Sequence, residues 1–113
     1  MKQGLNKVMI IGWVGDDLEV RQTPSGRYVA SFSVATSRSW LSLDESPQEE
    51  TEWFNVVAWG HLAEVCQKEL ARGVQIYVEG RLHTRSWEDD AGRRHFRTEV
   101  VAQNLLVLSE FLE

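Results

Sequence analysis

The sequence contains a single cysteine and no long hydrophobic run. Cys66 has no second cysteine with which to form an internal disulfide, and its helical surroundings predict a buried, reduced thiol. No stretch of eighteen apolar residues occurs, and the N-terminus runs directly into a strand without a small-residue cleavage site. The 113 residues suit one domain with a core that needs no disulfide. We therefore expect a soluble, unprocessed, cytoplasmic protein.

Basic residues are also in the minority. The 12 Lys and Arg face 17 Asp and Glu, and the formal net charge of −5 argues at first against nucleic acid. The charge is unevenly distributed, however. Residues 1–43 and residues 81–98 each hold five basic and three acidic residues, whereas residues 44–52 hold five acids and no base. The two basic segments therefore remain candidates for contact with a polyanion.

The most informative stretch is TEWFNVVAW, residues 51–59. A period of two places Trp53 and Trp59 on one face of an extended strand, while the opposite face is mostly apolar, as a core requires. Trp40 precedes this strand and Trp87 follows it. Exposed tryptophan is costly unless it has a pocket or a partner, so these four indoles need an explanation. Stacked nucleic-acid bases would provide one.

Hydrophobic periodicity and turn residues predict five strands and one helix. The strands are expected over residues 7–15, 27–40, 51–59, 74–87 and 93–102, and the helix over residues 60–72 with Gly73 just past its C-terminus. Residues 18–22 continue the first strand, and residues 104–108 form a short closing segment. Residues 41–50 are acidic and contain Pro47, which predicts a mobile loop. Gly12, inside the first strand, predicts a bulge or sharp bend.

The order β-β-β-α-β-β is that of the OB-fold, a five-stranded Greek-key barrel with a helix between its third and fourth strands. Strands 2 and 3 of this fold, with their connecting loops, bind oligonucleotides or oligosaccharides. We therefore expect an all-β barrel with one helix over residues 1–108, followed by a short C-terminal end over residues 109–113.

Six segments between residues 4 and 108 can be compared with known families: NKVMIIGWVG, PSG, FSVATSRSW, TEWFNVVAWGHLAEV, IYVEGRLHTRSW and FRTEVVAQNLLVL. In order and spacing they resemble the bacterial single-stranded DNA-binding protein family. The resemblance implies sequence-independent binding and protection of single-stranded DNA during replication, recombination and repair. It also implies a homotetramer around which the DNA wraps, no enzymatic activity and no cofactor.

The resemblance further implies which residues contact the DNA. Bases stack on aromatic residues at the positions of Trp40, Trp53, Trp59 and Trp87, because every base presents a π-face. Phosphate contacts are implied for basic residues along the DNA path, namely Lys7, Arg21, Arg38, Arg72, Arg81 and Arg85. Trp13, by contrast, is expected in the core and outside the site.

The sequence departs from the family pattern in two respects. His61 and Ser86 stand where relatives often carry a basic residue, so stacking is expected to supply more of the affinity. Relatives also commonly continue into a glycine-rich segment whose acidic, apolar tip recruits replication and repair proteins, whereas this sequence stops at LSEFLE. Either the chain is a shortened piece or it is a tail-less member, and recruitment of protein partners is not carried over.

Two other functions stay open. A metal-dependent nuclease would use acids from two predicted turns with a histidine as base. Its candidate side chains are Asp16, Asp17, Glu19, Glu88, Asp89, Asp90, His61, His83 and His95. Acids in turns are normally solvated and no HExxH or CxxC spacing occurs, so this alternative is the weaker one. The second alternative is a dimeric primosomal relative that binds single strands as an adaptor for a helicase; the retention of four tryptophans favours the general binder.

Overall fold

The computed structural model describes residues 2–108, which form six strands and one helix. In chain order the elements are β1 (Val8–Val14), β2 (Glu19–Gln22), β3 (Tyr28–Leu41), β4 (Pro47–Trp59), α1 (His61–Glu69), β5 (Gln75–Glu88) and β6 (Arg94–Val107). The long strands alternate inward apolar and outward polar residues over much of their length, so one face of each is available to a core.

The strands form one closed barrel. Their order is β1-β5-β6-β4-β3-β2, and a further pairing of β1 with β3 closes the sheet. Strands β4 and β6 are parallel, as a five-stranded OB-fold requires, and the other neighbours are antiparallel. Because β1 and β2 both pair with β3, they are two halves of a single first strand, and the predicted OB-fold is confirmed.

The barrel closes next to Gly12. Strand β1 pairs with β5 as far as Trp13, and at the same residue it begins to pair with β3 through Ala35. A Cβ atom on Gly12 would lie 2.3 Å from the carbonyl oxygen of Ala35, so a larger residue would force the two backbones apart. The register irregularity of the sheet lies elsewhere, between Glu79 and Gly80 of β5.

The barrel interior is filled by the inward faces of the strands and capped by the helix. The largest fully buried side chains are Val34, Val56, Cys66, Ile76, Val78 and Val100. Helix α1 contacts β3, β4 and β6, and it buries Ala63 and Cys66 against this core. Burial raises the pKa of the Cys66 thiol to about 11, which keeps it protonated at neutral pH. The prediction of a buried, free cysteine is confirmed.

The connection between β3 and β4 is a tight hairpin, and the mobile loop predicted for residues 41–50 is wrong. The two strands stay in register as far as Pro47, so only residues 42–46 form the turn. The Asp44 carboxylate accepts hydrogen bonds from the Ser42 hydroxyl and from the backbone N–H of Ser46. Proline is tolerated at the first residue of a strand, and cross-strand pairing overrides the low strand propensity of the acids that follow.

Two predicted boundaries near the second half of the chain are also wrong. Helix α1 ends at Glu69, and Gly73, with φ 88°, instead donates its N–H to the carbonyl oxygen of Val14 at 2.8 Å. The positive φ of Gly73 therefore serves the turn that leads into β5. Residues 104–107 are not a separate closing segment, because β6 runs continuously to Val107.

No helix within residues 2–108 is long and apolar enough to cross a bilayer. The predicted C-terminal end, residues 109–113, lies outside the described residues.

Candidate nucleic-acid interface

One open cleft of about 710 Å³ lies on the outer surface of the barrel. The floor includes Val29, Val57 and Val101, which face outward and lie on adjacent strands because Val57 pairs with Val101. Five arginines line the cleft: Arg21, Arg27, Arg81, Arg85 and Arg97. Only two of the lining residues, Glu19 and Glu99, are acids. The cleft therefore suits an extended, anionic ligand, although the whole chain is acidic.

Trp59 borders the cleft at the end of β4. It pairs across the sheet with Val29 and is half-buried. The guanidinium carbon of Arg27 lies 4.6 Å from the centroid of the Trp59 ring, within the range of a cation–π contact. A charge that attracts phosphate thus sits beside an aromatic surface on which a base could stack.

Trp87 is exposed near the end of the β5–β6 hairpin. Its cross-strand neighbour is His95, whose ring is stacked on the indole with centroids 5.5 Å apart and planes 20° apart. The guanidinium carbon of Arg85 lies 4.7 Å from the same indole. His95 Nε2 lies 2.8 Å from a carboxylate oxygen of Asp89, and the hydrogen bond from His95 is the largest cause that lowers the pKa of Asp89. Two side chains of the same hairpin therefore contact the Trp87 indole.

A buried carboxylate organises the arginines on one wall of the cleft. Glu99 is only 7% exposed, and its Oε2 lies 3.3 Å from the Arg85 guanidinium and 3.6 Å from that of Arg97. Arg97 also donates a hydrogen bond of 2.8 Å to the side-chain oxygen of Asn55 on β4. The two guanidinium groups are therefore fixed on the sheet surface, with part of their charge balanced by one acid.

Trp40 lies outside the cleft, near the tip of the β3–β4 hairpin. It is exposed, and the guanidinium carbon of Arg38 lies 4.2 Å from its ring centroid. Arg38 also forms an ion pair of 3.1 Å with Glu50 on the neighbouring strand. This third pairing of arginine with tryptophan repeats the chemistry of the cleft at the far end of the β3–β4 hairpin.

Trp53 has the most exposed indole of the four predicted site residues, at 58%. It pairs with Ala35 of β3, which in turn pairs with Trp13 of β1. Trp13 is itself 45% exposed, so its expected place in the core is wrong. The inward positions of β1 are Ile10, Gly12 and Val14, and the strand alternation therefore turns Trp13 outward.

The other predicted phosphate contacts fall into two groups. Arg21, Arg81 and Arg85 line the cleft. Lys7 does not line it. The ammonium of Lys7 is paired with Glu79, which raises the pKa of Lys7. Arg72 is exposed in the turn between α1 and β5, also away from the lining.

The cleft residues that sequence reasoning missed include three charged ones with contacts in the site: Arg27, Arg97 and Glu99. Two of them had a local signal. Counting outward from the hairpin tip at residues 89–93 pairs Arg85 with Arg97, and Glu99 lies two residues further on the same face. Arg27 had no comparable signal, since its contact with Trp59 depends on the pairing of β3 with β4.

The residues proposed for a nuclease do not form a metal site. Within residues 2–108, no group of three or more His, Cys, Asp or Glu side chains is placed to hold a metal ion. Asp17 instead accepts hydrogen bonds from the backbone N–H and the hydroxyl of Ser33. Asp89 accepts bonds from the N–H groups of Ala91 and Arg93, which shapes the hairpin tip. These acids have structural roles.

A closed OB barrel whose outer face carries indoles and arginines is typical of the OB-fold proteins that bind single-stranded nucleic acid. The chain belongs to the single-strand binding protein family, whose profile matches residues 5–108. The family assigned from the sequence is therefore confirmed. Proteins of this family are DNA-binding proteins without enzymatic activity, which agrees with the prediction that the chain is not an enzyme.

Similar proteins agree with this assignment. The chain is 47% identical over 109 residues to single-stranded DNA-binding protein 1 of Chlorobaculum tepidum, covering 96% of this chain and 67% of that protein. Among solved structures, the complex of the Plasmodium falciparum SSB with ssDNA matches with a TM-score of 0.86 and 30% identity, over 96% of this chain and 99% of the other. A deletion mutant of the Thermus aquaticus single-stranded DNA binding protein matches with a TM-score of 0.80 and 29% identity, over 96% of this chain and 53% of the other.

Proposed function

We propose that this protein binds and protects single-stranded DNA without sequence preference during replication, recombination and repair. The observation that carries the proposal is the cleft, where five arginines and Trp59 line one open groove with Trp87 beside Arg85 at its margin. Stacking needs only the π-face of a base, and arginines that follow a backbone need only phosphate, so neither contact reads sequence. Duplex DNA conceals its base faces and would engage only the arginines.

The stacking residues in this proposal are Trp40, Trp53, Trp59 and Trp87. Three of them have a guanidinium carbon within 5 Å of the ring centroid, at 4.2 Å for Trp40, 4.6 Å for Trp59 and 4.7 Å for Trp87. Such an arginine polarises the indole and stands ready for the phosphate next to the stacked base. Trp53 is the most exposed of the four, at 58%.

The phosphate contacts in this proposal are those arginines that line the cleft, together with Arg38 on the hairpin arm. The sequence had assigned Arg21, Arg81 and Arg85, and the structure adds Arg27 and Arg97 as candidates. Lys7 and Arg72 lie outside the cleft, so they would contact only a strand that continues beyond it.

We also propose that the chain assembles as a homotetramer built from dimers. Met9 and Ile11, on the outward face of β1, are 66% and 55% exposed, and Ile11 lies in one cross-strand row with Tyr77 and Leu106. A row of apolar side chains on a rigid sheet is suited to the same row of a second copy. Phe54, on the face of β4 opposite Trp53, packs against the core of its own barrel and is not available for this contact.

A location in the cytoplasm follows from the proposed role, because DNA is the ligand. The free, buried thiol of Cys66 is compatible with a reducing compartment.

The decisive test of function is a titration with dT oligomers of increasing length against duplexes of equal length, following tryptophan fluorescence and light scattering together. We expect tight binding of dT with quenched emission and much weaker binding of duplex. Equal affinity for dT oligomers and for duplexes would refute the proposed function. A mass of two chains by light scattering would favour the primosomal alternative. A mass of one chain would refute the proposed tetramer.

A matched pair of variants tests the assembly surface. Ile11→Glu places a charge in the exposed apolar row and should lower the scattering mass. Gln67→Glu adds the same charge on the exposed side of α1 and should leave the mass unchanged. If both variants keep the wild-type mass, β1 is not the contact between subunits.

A further inference from the structure

Trp13 is a large aromatic side chain that neither the core nor the cleft uses. It lies on β1 at the residue where this strand pairs with both β5 and β3, and its indole is 45% exposed. An indole held at the surface of a rigid sheet usually meets a pocket or a partner. The neighbours of Trp13 indicate which partner this is.

The register of the barrel places Trp13 in one row with Trp53. Trp13 pairs with Ala35, and Ala35 pairs with Trp53, so the three residues are direct neighbours across β1, β3 and β4. Directly paired residues point to the same side of a sheet, and two strand spacings separate the outer pair by about 10 Å. Between the two indoles stands only the methyl group of Ala35.

The ring of Trp53 reaches back across this row toward β1. A Cβ atom built on Gly15 would lie 3.1 Å from the Cζ3 atom of Trp53, so the indole covers the glycine. The Gly15 N–H is bonded to the carbonyl oxygen of Ser33 at 2.9 Å, which holds the end of β1 against β3. The two indoles therefore border the same piece of surface, with only alanine and glycine between them.

We propose that Trp13 is a fifth base-stacking residue, which extends the single-stranded DNA path from Trp53 over β3 onto β1. The inference rests on the proposed function. Its ligand is a nucleotide base of the same strand, since the row is continuous with Trp53. The contact is aromatic, so it should strengthen binding without adding a phosphate contact.

A second copy of the chain is the competing occupant. Met9 and Ile11 share the outward face of β1 with Trp13, and we have assigned them to subunit contact. Trp13 differs from both because it is the outward residue at which β1 leaves β5 and joins β3. Its cross-strand neighbour on that side, Ala35, belongs to the strand that carries the cleft floor and leads to Trp53.

The test compares Trp13→Leu and Trp13→Phe with the wild-type protein. Leucine retains an apolar side chain and removes the π-face, whereas phenylalanine keeps a smaller π-face. We expect Trp13→Leu to weaken binding of a long dT oligomer roughly 5- to 150-fold with an unchanged salt slope, and Trp13→Phe to lose much less. Light scattering should give the wild-type mass for both.

Phe96→Leu is the matched control. Phe96 is 67% exposed and pairs with Ser86, on the face of the hairpin opposite Trp87. Its replacement removes an exposed aromatic ring away from the proposed path and should leave affinity unchanged. Wild-type affinity in Trp13→Leu, or a loss equal to that of Phe96→Leu, would overturn the inference.

The scattering mass of Trp13→Leu and the affinity of a second variant, Trp53→Leu, distinguish base stacking from subunit contact and from a failure of the proposed function. A lower scattering mass in Trp13→Leu would assign Trp13 to subunit contact and would overturn the inference. Trp53→Leu, measured alongside, tests the proposed function independently. If Trp53→Leu binds weakly and Trp13→Leu binds normally, only the role of Trp13 is wrong, whereas a wild-type protein without preference for dT would refute the proposed function itself.

Discussion

The Glu99 carboxylate lies 3.3 Å from the guanidinium of Arg85, inside a cleft that we assign to a polyanion. The acid is 7% exposed and also approaches Arg97 at 3.6 Å. An acid in this place opposes phosphate binding electrostatically, but it holds two arginines in a defined geometry before DNA arrives. Glu99 therefore lowers the net positive charge of the cleft, while it fixes the positions of the two arginine side chains.

The first prediction follows from this relationship. Glu99→Gln keeps the shape of the side chain and removes its charge, so Arg85 and Arg97 are no longer balanced. Affinity for dT oligomers should rise at low salt, and the slope of log affinity against log salt should steepen by about 0.7, the value for one phosphate on a single strand. Titrations over a range of salt concentrations measure both.

The control for this prediction is Glu52→Gln, an equal charge change on the exposed face of β4 opposite Trp53. It should alter the slope much less. Weaker binding by Glu99→Gln at every salt concentration would mean that the orientation of the arginines outweighs their charge.

A second prediction concerns Trp53. Because 58% of this residue is exposed, Trp53→Ala should lower the affinity for dT by about 1–3 kcal/mol while the free energy of unfolding changes by only about 0.5 kcal/mol. Trp53→Phe should recover most of the binding. Fluorescence anisotropy and thermal unfolding check the two quantities, and an unfolded Trp53→Ala protein would show that the indole is structural.

A third prediction separates charge from stacking at one location. Arg85→Ala removes a guanidinium that lines the cleft, so the salt slope should flatten by about 0.7. Trp87→Ala removes the adjacent ring and should lower affinity by about 1–3 kcal/mol at every salt concentration, with the slope nearly unchanged. Arg72→Ala, outside the cleft, is the charge-matched comparison. If the three substitutions change slope and affinity alike, this division between arginine and tryptophan is wrong.

A fourth prediction concerns pH and the β3–β4 hairpin that carries Trp40. Hydrogen bonds from Ser42 and Ser46 lower the pKa of Asp44 to about 2. A carboxylate whose pKa is lower in the folded state stabilises that state above its unfolded pKa, and this stabilisation is lost as the pH falls through the folded pKa. The stability difference between wild type and Asp44→Asn should therefore be constant at neutral pH and disappear between about pH 4 and pH 2.

Denaturant unfolding of both proteins across this pH range measures the difference, and Asp90→Asn is the control, because it removes an acid from the turn of the other long hairpin. A constant difference down to pH 2 would show that the charge of Asp44 does not stabilise the turn.

Sequence alone was sufficient for the order of the elements, the OB-fold, the family and the exposure of Trp40, Trp53 and Trp87. The element order and the exposure of these indoles depend on local information, because alternation along a strand and the turn preferences of glycine and proline act within a few residues. The family followed from the resemblance of six segments in their order and spacing. Where local preference and cross-strand pairing disagree, as at residues 47–50, pairing wins and the sequence prediction is wrong.

Only the tertiary structure decided which side chains share one surface. Arg27 meets Trp59, and Arg97 meets Asn55, because closure of the barrel joins strands that are far apart in the chain. The place of Trp13 was predicted wrongly, since an apolar strand supplies both core and surface residues and its register selects between them. A shift of one residue in β1 would exchange Gly12 and Trp13 between the interior and the outer surface. The close approach of Gly12 to the Ala35 backbone opposes this shift, because a larger residue there would clash.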